Sequence, residues 1–155
     1  VDSAGLPIGE DGVVTAEDLV GLDLSQTEMV TLSACETALG DVAGGEGVFG
    51  LQRALHQAGV RSVMASLWKV DDDATRALMI EFYRNLWEKK MNKLHALREA
   101  QLTMLRSYDP KSGQLRGLGG NSGKVDTTKP TAEKDSNSRL DPRYWAAFQL
   151  SGDWR

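Results

Sequence analysis

The sequence predicts an α/β domain with a central, mainly parallel sheet flanked by helices. Three observations lead there. Short apolar runs of strand length alternate with stretches whose apolar residues recur every three or four positions. Glycine clusters stand where one element must give way to the next. The 155 residues, 41% of them hydrophobic, can bury one sizeable core but are too few for two comfortable ones.

In "TAEDLVGLDL" Thr15 can cap a short helix while Asp18, three residues on, reaches back to it, a variant of the capping box; the helix should stop near Gly21. "EMVTLS", Glu28 to Ser33, is an apolar run of strand length that leads into the chain's single cysteine, Cys35. "LGDVAGGEG" is a glycine-punctuated loop. "EGVFGLQRALHQAG" then places Val48, Leu51, Ala54, Leu55 and Ala58 on one helical face, with Gly59 able to end it. "RSVMASLW", Arg61 to Trp68, is a second buried strand. "VDDDATRALMIEFYRNLWEKK" opens on aspartates and closes on lysines, the charge order a helix dipole favours, and its Ala74, Leu78, Phe82 and Leu86 repeat at helical spacing. Asn92 can cap a further helix, "KLHALREAQLTMLRSY". From Asp109 to about Asp141 the chain is polar and rich in Gly, Ser, Lys and Asp, with almost nothing to bury, and is expected to be a mobile insertion. Its Lys124, Lys129 and Lys134 could serve a processing protease or simply belong to a spacer. "WAAFQL" is the expected last strand. No internal repeat is visible.

Net charge −4 and a sequence pI near 5.2 give no broad electropositive face, which argues against a nucleic-acid partner. One cysteine cannot form an internal disulfide, and no apolar run approaches the roughly 20 residues of a membrane span. A soluble, cytoplasmic protein with no membrane partner is therefore expected. There is no clustered Cys/His set for zinc, and "GGEG" lacks both the G-x-S-x-G elbow and the Lys-Ser/Thr of a phosphate loop, so no metal or cofactor is expected.

Cys35 follows a strand and precedes a glycine loop and helix, the place where open α/β sheets put their ligands. Free cysteine is also among the most buried residue types, so a small packed side chain is the alternative.

"LSACETALG", then "GEGVFGLQRALHQAGVRSVMASLWKVDD", then "YWAAFQLSGD" together resemble the C-terminal half of a CHAT domain, a caspase-like cysteine peptidase module often found beside tetratricopeptide repeats. The three segments occur in the family's order, and with the upstream "EDGVVTAEDLVGLDL" the resemblance spans nearly all of residues 1–155 except the insertion. It implies a caspase-like fold, here incomplete, and Cys/His peptidase chemistry on a peptide or protein substrate. Cys35 would be the nucleophile and its backbone N–H one oxyanion donor. Ser33 and Ala34 would line the primary pocket. Ser66, Leu67 and Trp68 would pair with the substrate backbone and wall that pocket. Asp71 is the best candidate for selecting a basic side chain. The capping reading of Asp71, Asp72 and Asp73 nevertheless comes first, and Glu46 has the same explanation. Glu36 and Thr37 would shape the loop.

The family also needs a histidine base, from a segment resembling "HFATHG". The chain holds only His56 and His95, both inside helical patterns. In caspases the histidine precedes the nucleophile by about 50 residues, and only 34 precede Cys35, so the base is expected before Val1. The reading is the nucleophile-bearing half of a cysteine endopeptidase, weakly active or inactive alone. Its partners would be the missing N-terminal half of the domain or a second copy forming a homodimer. A non-catalytic interaction or scaffold module with the same fold is the alternative.

Overall fold

The structure, a computed structural model, describes residues 14–33, 47–109, 114–115 and 139–155. The first helix, α1 (Ala16–Val20), starts on the expected capping box: Thr15 Oγ1 accepts from the Asp18 N–H at 3.2 Å, and Asp18 Oδ2 accepts from the Thr15 N–H at 2.8 Å. It ends at Gly21 in ordinary right-handed geometry, so the glycine's freedom is not used there. Strand β1 (Met29–Leu32) and strand β2 (Ser62–Ser66) pair in parallel, Met29 opposite Ser62 and Leu32 opposite Ala65. Helix α2 (Gly47–Gln57) is the crossover between them.

The end of α2 is a Schellman turn. The Gly59 N–H reaches His56 O at 3.1 Å and the Val60 N–H reaches Leu55 O at 3.0 Å, with Leu55 and Val60 in apolar contact. Gly59 has φ +104°, and a Cβ there would lie 2.9 Å from the Ser25 backbone, because the turn after α1 packs on this end (Leu24 N–H to Ala58 O, 2.7 Å). A side chain at 59 is excluded by both conformation and space.

Helix α3 (Asp72–Tyr83) is capped by Asp71 and runs into one π-helical turn, Arg84–Glu88. The Lys89 N–H reaches Arg84 O at 3.2 Å, and Lys90 then breaks the helix at φ +54°. Asn85 in that turn is fully buried; its Nδ2 donates to Ala96 O at 3.2 Å and its Oδ1 accepts from Lys89 Nζ at 2.7 Å, tying the turn to helix α4 (Lys93–Ser107). Asn92 caps α4 through the His95 N–H at 2.9 Å, as its position predicts.

The sheet order is β1–β2–β5, with β5 (Phe148–Gly152) antiparallel to β2: Ser62 faces Gly152 and Ser66 faces Phe148. The expectation of a mainly parallel sheet is thus corrected to a mixed one among the described residues, with one parallel and one antiparallel pair. The physical reason is the return path: β5 re-enters from a short helix, α5 (Pro142–Trp145), rather than through a crossover helix. That helix also moves the last strand. "WAAFQL" was expected to be extended from Trp145 onward, but Asp141 caps the Arg143 N–H at 2.9 Å with Pro142 in the first turn, so helix persists to Trp145.

The structure describes the ends of the segment 109–141. Tyr108–Asp109 (β3) and Gln114–Leu115 (β4) form a small antiparallel pair, and Leu115 and Leu140 are both buried in the main core. Burying a leucine is worth about 1.5–3 kcal/mol, which suffices to draw in both ends of an otherwise polar segment. Residues 110–113 and 116–138, with Lys124, Lys129 and Lys134, lie outside the described residues.

Alternation along the strands feeds two cores. Met64, on one face of the sheet, joins Phe82, Leu78, Met104 and Phe148 beneath α3, α4 and α5. Val63, on the other, meets Leu55 and Val60 with Leu19, Val30 and Leu32 beneath α1 and α2. The result is three layers with β2 wholly buried at the centre.

Candidate active site

Parallel pairing fixes the site's scaffold. β1 and β2 run the same way with Leu32 opposite Ala65, so Ser33 and the Ser66–Trp68 segment emerge together at the carboxyl edge of the sheet. Ser33 is exposed, and Cys35 follows it by two residues. Ala34, Cys35, Glu36, Thr37 and Glu46 lie outside the described residues.

The second segment is held rigidly. Ser66 is 1% exposed, opposite Phe148. The Leu67 N–H donates to Ala147 O at 2.8 Å, which extends the β2–β5 ladder by one rung. Backbone groups alternate sides along a strand, so those of Ser66 turn toward the β1 side, level with Ser33. Trp68, 36% exposed, is anchored by its indole N–H to Arg143 O at 3.0 Å. Sequence reasoning missed Ala147 and Arg143 as the supports of this segment. Nothing local to either residue signals it, since the contact joins positions 75 residues apart for Trp68 and Arg143.

Asp71 Oδ1 accepts from the Asp73 N–H at 3.0 Å and the Ala74 N–H at 3.1 Å. Asp73 pairs with Arg76 at 3.0 Å. These are the capping and helix-pairing roles that propensity favours for an acidic run at a helix start. Between β5 and α2, Gln149 Nε2 donates to Gln52 Oε1 at 3.4 Å. Gln52 is buried, and its Nε2 has no hydrogen-bond partner; Thr75 Oγ1 in α3 is likewise buried and unpaired.

Both histidines belong to the opposite edge. His56 sits in α2, where its Nδ1 donates to Val60 O and its Nε2 meets Ser151 Oγ, each at 3.0 Å. Ser151 pairs with Val63, three residues and so about 10 Å of strand from Ser66. His95 is exposed in the first turn of α4, next to Lys93. Lys93 itself is buried and donates to Glu28 Oε1 at 2.7 Å, Asp153 O at 3.2 Å and Arg155 O at 3.0 Å, all at the amino edge of the sheet. Its hydrogen bond and charge hold the Glu28 carboxyl below the usual glutamate range.

Among the described residues no three His, Cys, Asp or Glu side chains converge on a point that could hold a metal ion, and no helix is long and apolar enough to cross a membrane.

The chain matches no curated protein and no solved structure. Residues 1–153 match the family model of the CHAT domain, which is a caspase-like, peptidase-related family. With essentially its whole length matched, and with the α/β scaffold that such a domain requires, the chain belongs to the CHAT domain family.

Proposed function

We propose that this chain carries the nucleophile of a caspase-like cysteine endopeptidase, with Cys35 as the attacking residue. The observation that carries the reading is the parallel β1–β2 pair, which delivers the strand leading into Cys35 and the Ser66–Trp68 wall to one edge. Carboxyl edges of such strands are where α/β proteins bind ligands.

In the proposed reaction a histidine base takes the thiol proton and the thiolate sulfur attacks the peptide carbonyl carbon. The C–N bond breaks, the amine leaves with that proton, and a thioester remains on Cys35. Water hydrolyses the thioester, releasing a carboxylic acid and restoring the thiol. Backbone N–H groups, that of Cys35 among them, would stabilise the oxyanion. Ser33 and Ala34 would line the primary pocket, Ser66 and Leu67 would present backbone to the substrate, and Trp68 would wall the pocket. With Asp71 Oδ1 engaged at two N–H groups, only its other oxygen is offered to a basic side chain.

His56 and His95 face the wrong edge for this chemistry, so the base would come from a histidine outside these 155 residues. Without it an unperturbed thiol, pKa about 8.5, is only a few per cent ionised at neutral pH. Isolated activity should be weak.

The absence of an imidazole at the carboxyl edge among the described residues also favours a second reading, a non-catalytic interaction module that keeps the fold. The test is peptide cleavage by the chain joined to its native upstream segment, with Cys35 intact and as Cys35→Ala, alongside the rate of thiol alkylation by iodoacetamide. The peptidase reading expects cleavage to vanish in Cys35→Ala and the intact thiol to react rapidly. Equal cleavage by both forms, or a sluggish thiol with no cleavage, sinks it in favour of the module.

A further inference from the structure

Two successive links tie the candidate wall to the α5 corner. The first is a backbone rung, Leu67 N–H to Ala147 O at 2.8 Å. The second is made by a side chain, the Trp68 indole N–H to Arg143 O at 3.0 Å. Both acceptors belong to one short unit, residues 143–147, which therefore sets where the wall's backbone runs and where its aromatic ring lies.

Helix α5 has only four residues, too few to persist on its own hydrogen bonds. Buried side chains pin it: Leu140 before it, Tyr144 within it, and Ala147 and Phe148 after it all belong to the main core. Its start is fixed by Asp141, which spends both carboxylate oxygens on one residue. Oδ1 accepts from the Arg143 N–H at 2.9 Å, and Oδ2 pairs with the Arg143 guanidinium at 3.2 Å. The guanidinium also lies over the Tyr144 ring, 5.4 Å from its centroid. Arg143 is thus held through its N–H while its carbonyl holds the indole. That carbonyl is among the last four of the helix, whose partners must come from outside the helix, and the indole is such a partner.

We propose that Asp141 is a positioning residue for the substrate wall: by capping α5 it fixes the Arg143 carbonyl, and through that carbonyl it orders the Trp68 indole for a peptide. The inference rests on the peptidase reading for its substrate, but not for the chain of contacts from Asp141 to Arg143 to Trp68. A ring that is already ordered loses less freedom when a peptide lies against it. Releasing the ring should therefore weaken substrate binding and leave the bond-breaking steps alone.

The test has two arms. The first uses proton–nitrogen NMR of the 155-residue chain, where the Trp68 indole resonance is the one missing from Trp68→Phe. Asp141→Ala should shift that resonance and speed its exchange with water about tenfold, in line with one weakened hydrogen bond. Asp141→Asn, which keeps a capping oxygen, should leave it in place. So should Arg143→Ala, which keeps the carbonyl and removes only the guanidinium. If Asp141→Ala does not fold, Asp141→Gly takes its stead, since glycine is tolerated at such a position. The second arm is peptide cleavage by the chain joined to its native upstream segment. There Asp141→Ala should raise KM about tenfold with kcat within about twofold, and Asp141→Asn should match the wild type. Trp68→Phe should show the same rise, and Asp141→Ala should add nothing to it.

An indole resonance unmoved in Asp141→Ala overturns the proposal. So does an Arg143→Ala that disturbs the indole as much, because the support then lies in the guanidinium. An unchanged KM beside a shifted resonance, or KM effects of Asp141→Ala and Trp68→Phe that simply add, also overturns it. A wild type that cleaves nothing removes the peptidase reading and with it the substrate, while the indole resonance still decides whether Asp141 positions Trp68.

Discussion

Asp71 shows how one side chain can be read two ways and then weighed. Its Oδ1 satisfies two N–H groups that would otherwise go unpaired at the start of α3. Asp71→Ala should therefore cost about 1 kcal/mol in urea unfolding, and Asp71→Ser, which keeps a capping oxygen, much less. If Asp71 also selects substrate, Asp71→Ser alone should abolish any preference for basic peptides while stability holds. Gly152 makes a second point at this scale. Its φ is +89°, and a Cβ there would stand 2.2 Å from Arg61 O and 2.7 Å from His56 Cε1. Gly152→Ala should destabilise by about 2 kcal/mol or more, and adding His56→Ala should not restore the loss, because the Arg61 carbonyl does not move aside. Thr75→Val should act in the opposite sense. It removes a buried hydroxyl without a partner at nearly constant volume, and should raise stability by up to about 1 kcal/mol in the same assay.

At the scale of elements, the junction at the amino edge binds three parts that are distant in sequence. Lys93 opens α4, Glu28 precedes β1, and Asp153 and Arg155 follow β5. Lys93 lowers the Glu28 carboxyl's pKa in the folded chain, and a second cation, Arg61, adds to the effect at 3.4 Å. A depressed folded value means that the contribution is complete above the unfolded pKa of about 4.3 and is lost as pH falls through the lower folded value. The stability gap between wild type and Glu28→Gln should thus stay constant from pH 7 to about 5 and close below about 4. A gap that does not shrink at all as pH falls below the unfolded value would show that Glu28 acts through packing rather than charge. Elements of this kind also show what sequence can convey. The caps at Thr15, Asp71 and Asn92 were legible because each is a contact within three residues. Helix α5 was not, since "RYWAAF" is as aromatic as a strand and only Asp141–Pro142 marks the helical start.

Across the whole molecule, pattern alone gave the alternation of strands and helices and the edge from which a site would be built. It could not give the direction of β5, which depends on the route of the chain after α4, nor the anchoring of Trp68 by Arg143. The placement of both histidines at the amino edge is also a tertiary fact, although their helical surroundings already argued against a role as base.

The pairing of β5 with β2 has a consequence for how such a chain is made. Ser151 and Val63 are 88 residues apart, whereas β1, α2 and β2 form a contiguous unit. During synthesis the first unit can assemble early, but the middle strand waits for its antiparallel neighbour until Gly152 has been added. A chain ending at Ala147 should therefore emerge with much of its helix content and no cooperative melting transition, checked by circular dichroism and calorimetry, and should bind the dye ANS through the groove that Phe148 and Leu150 would have filled.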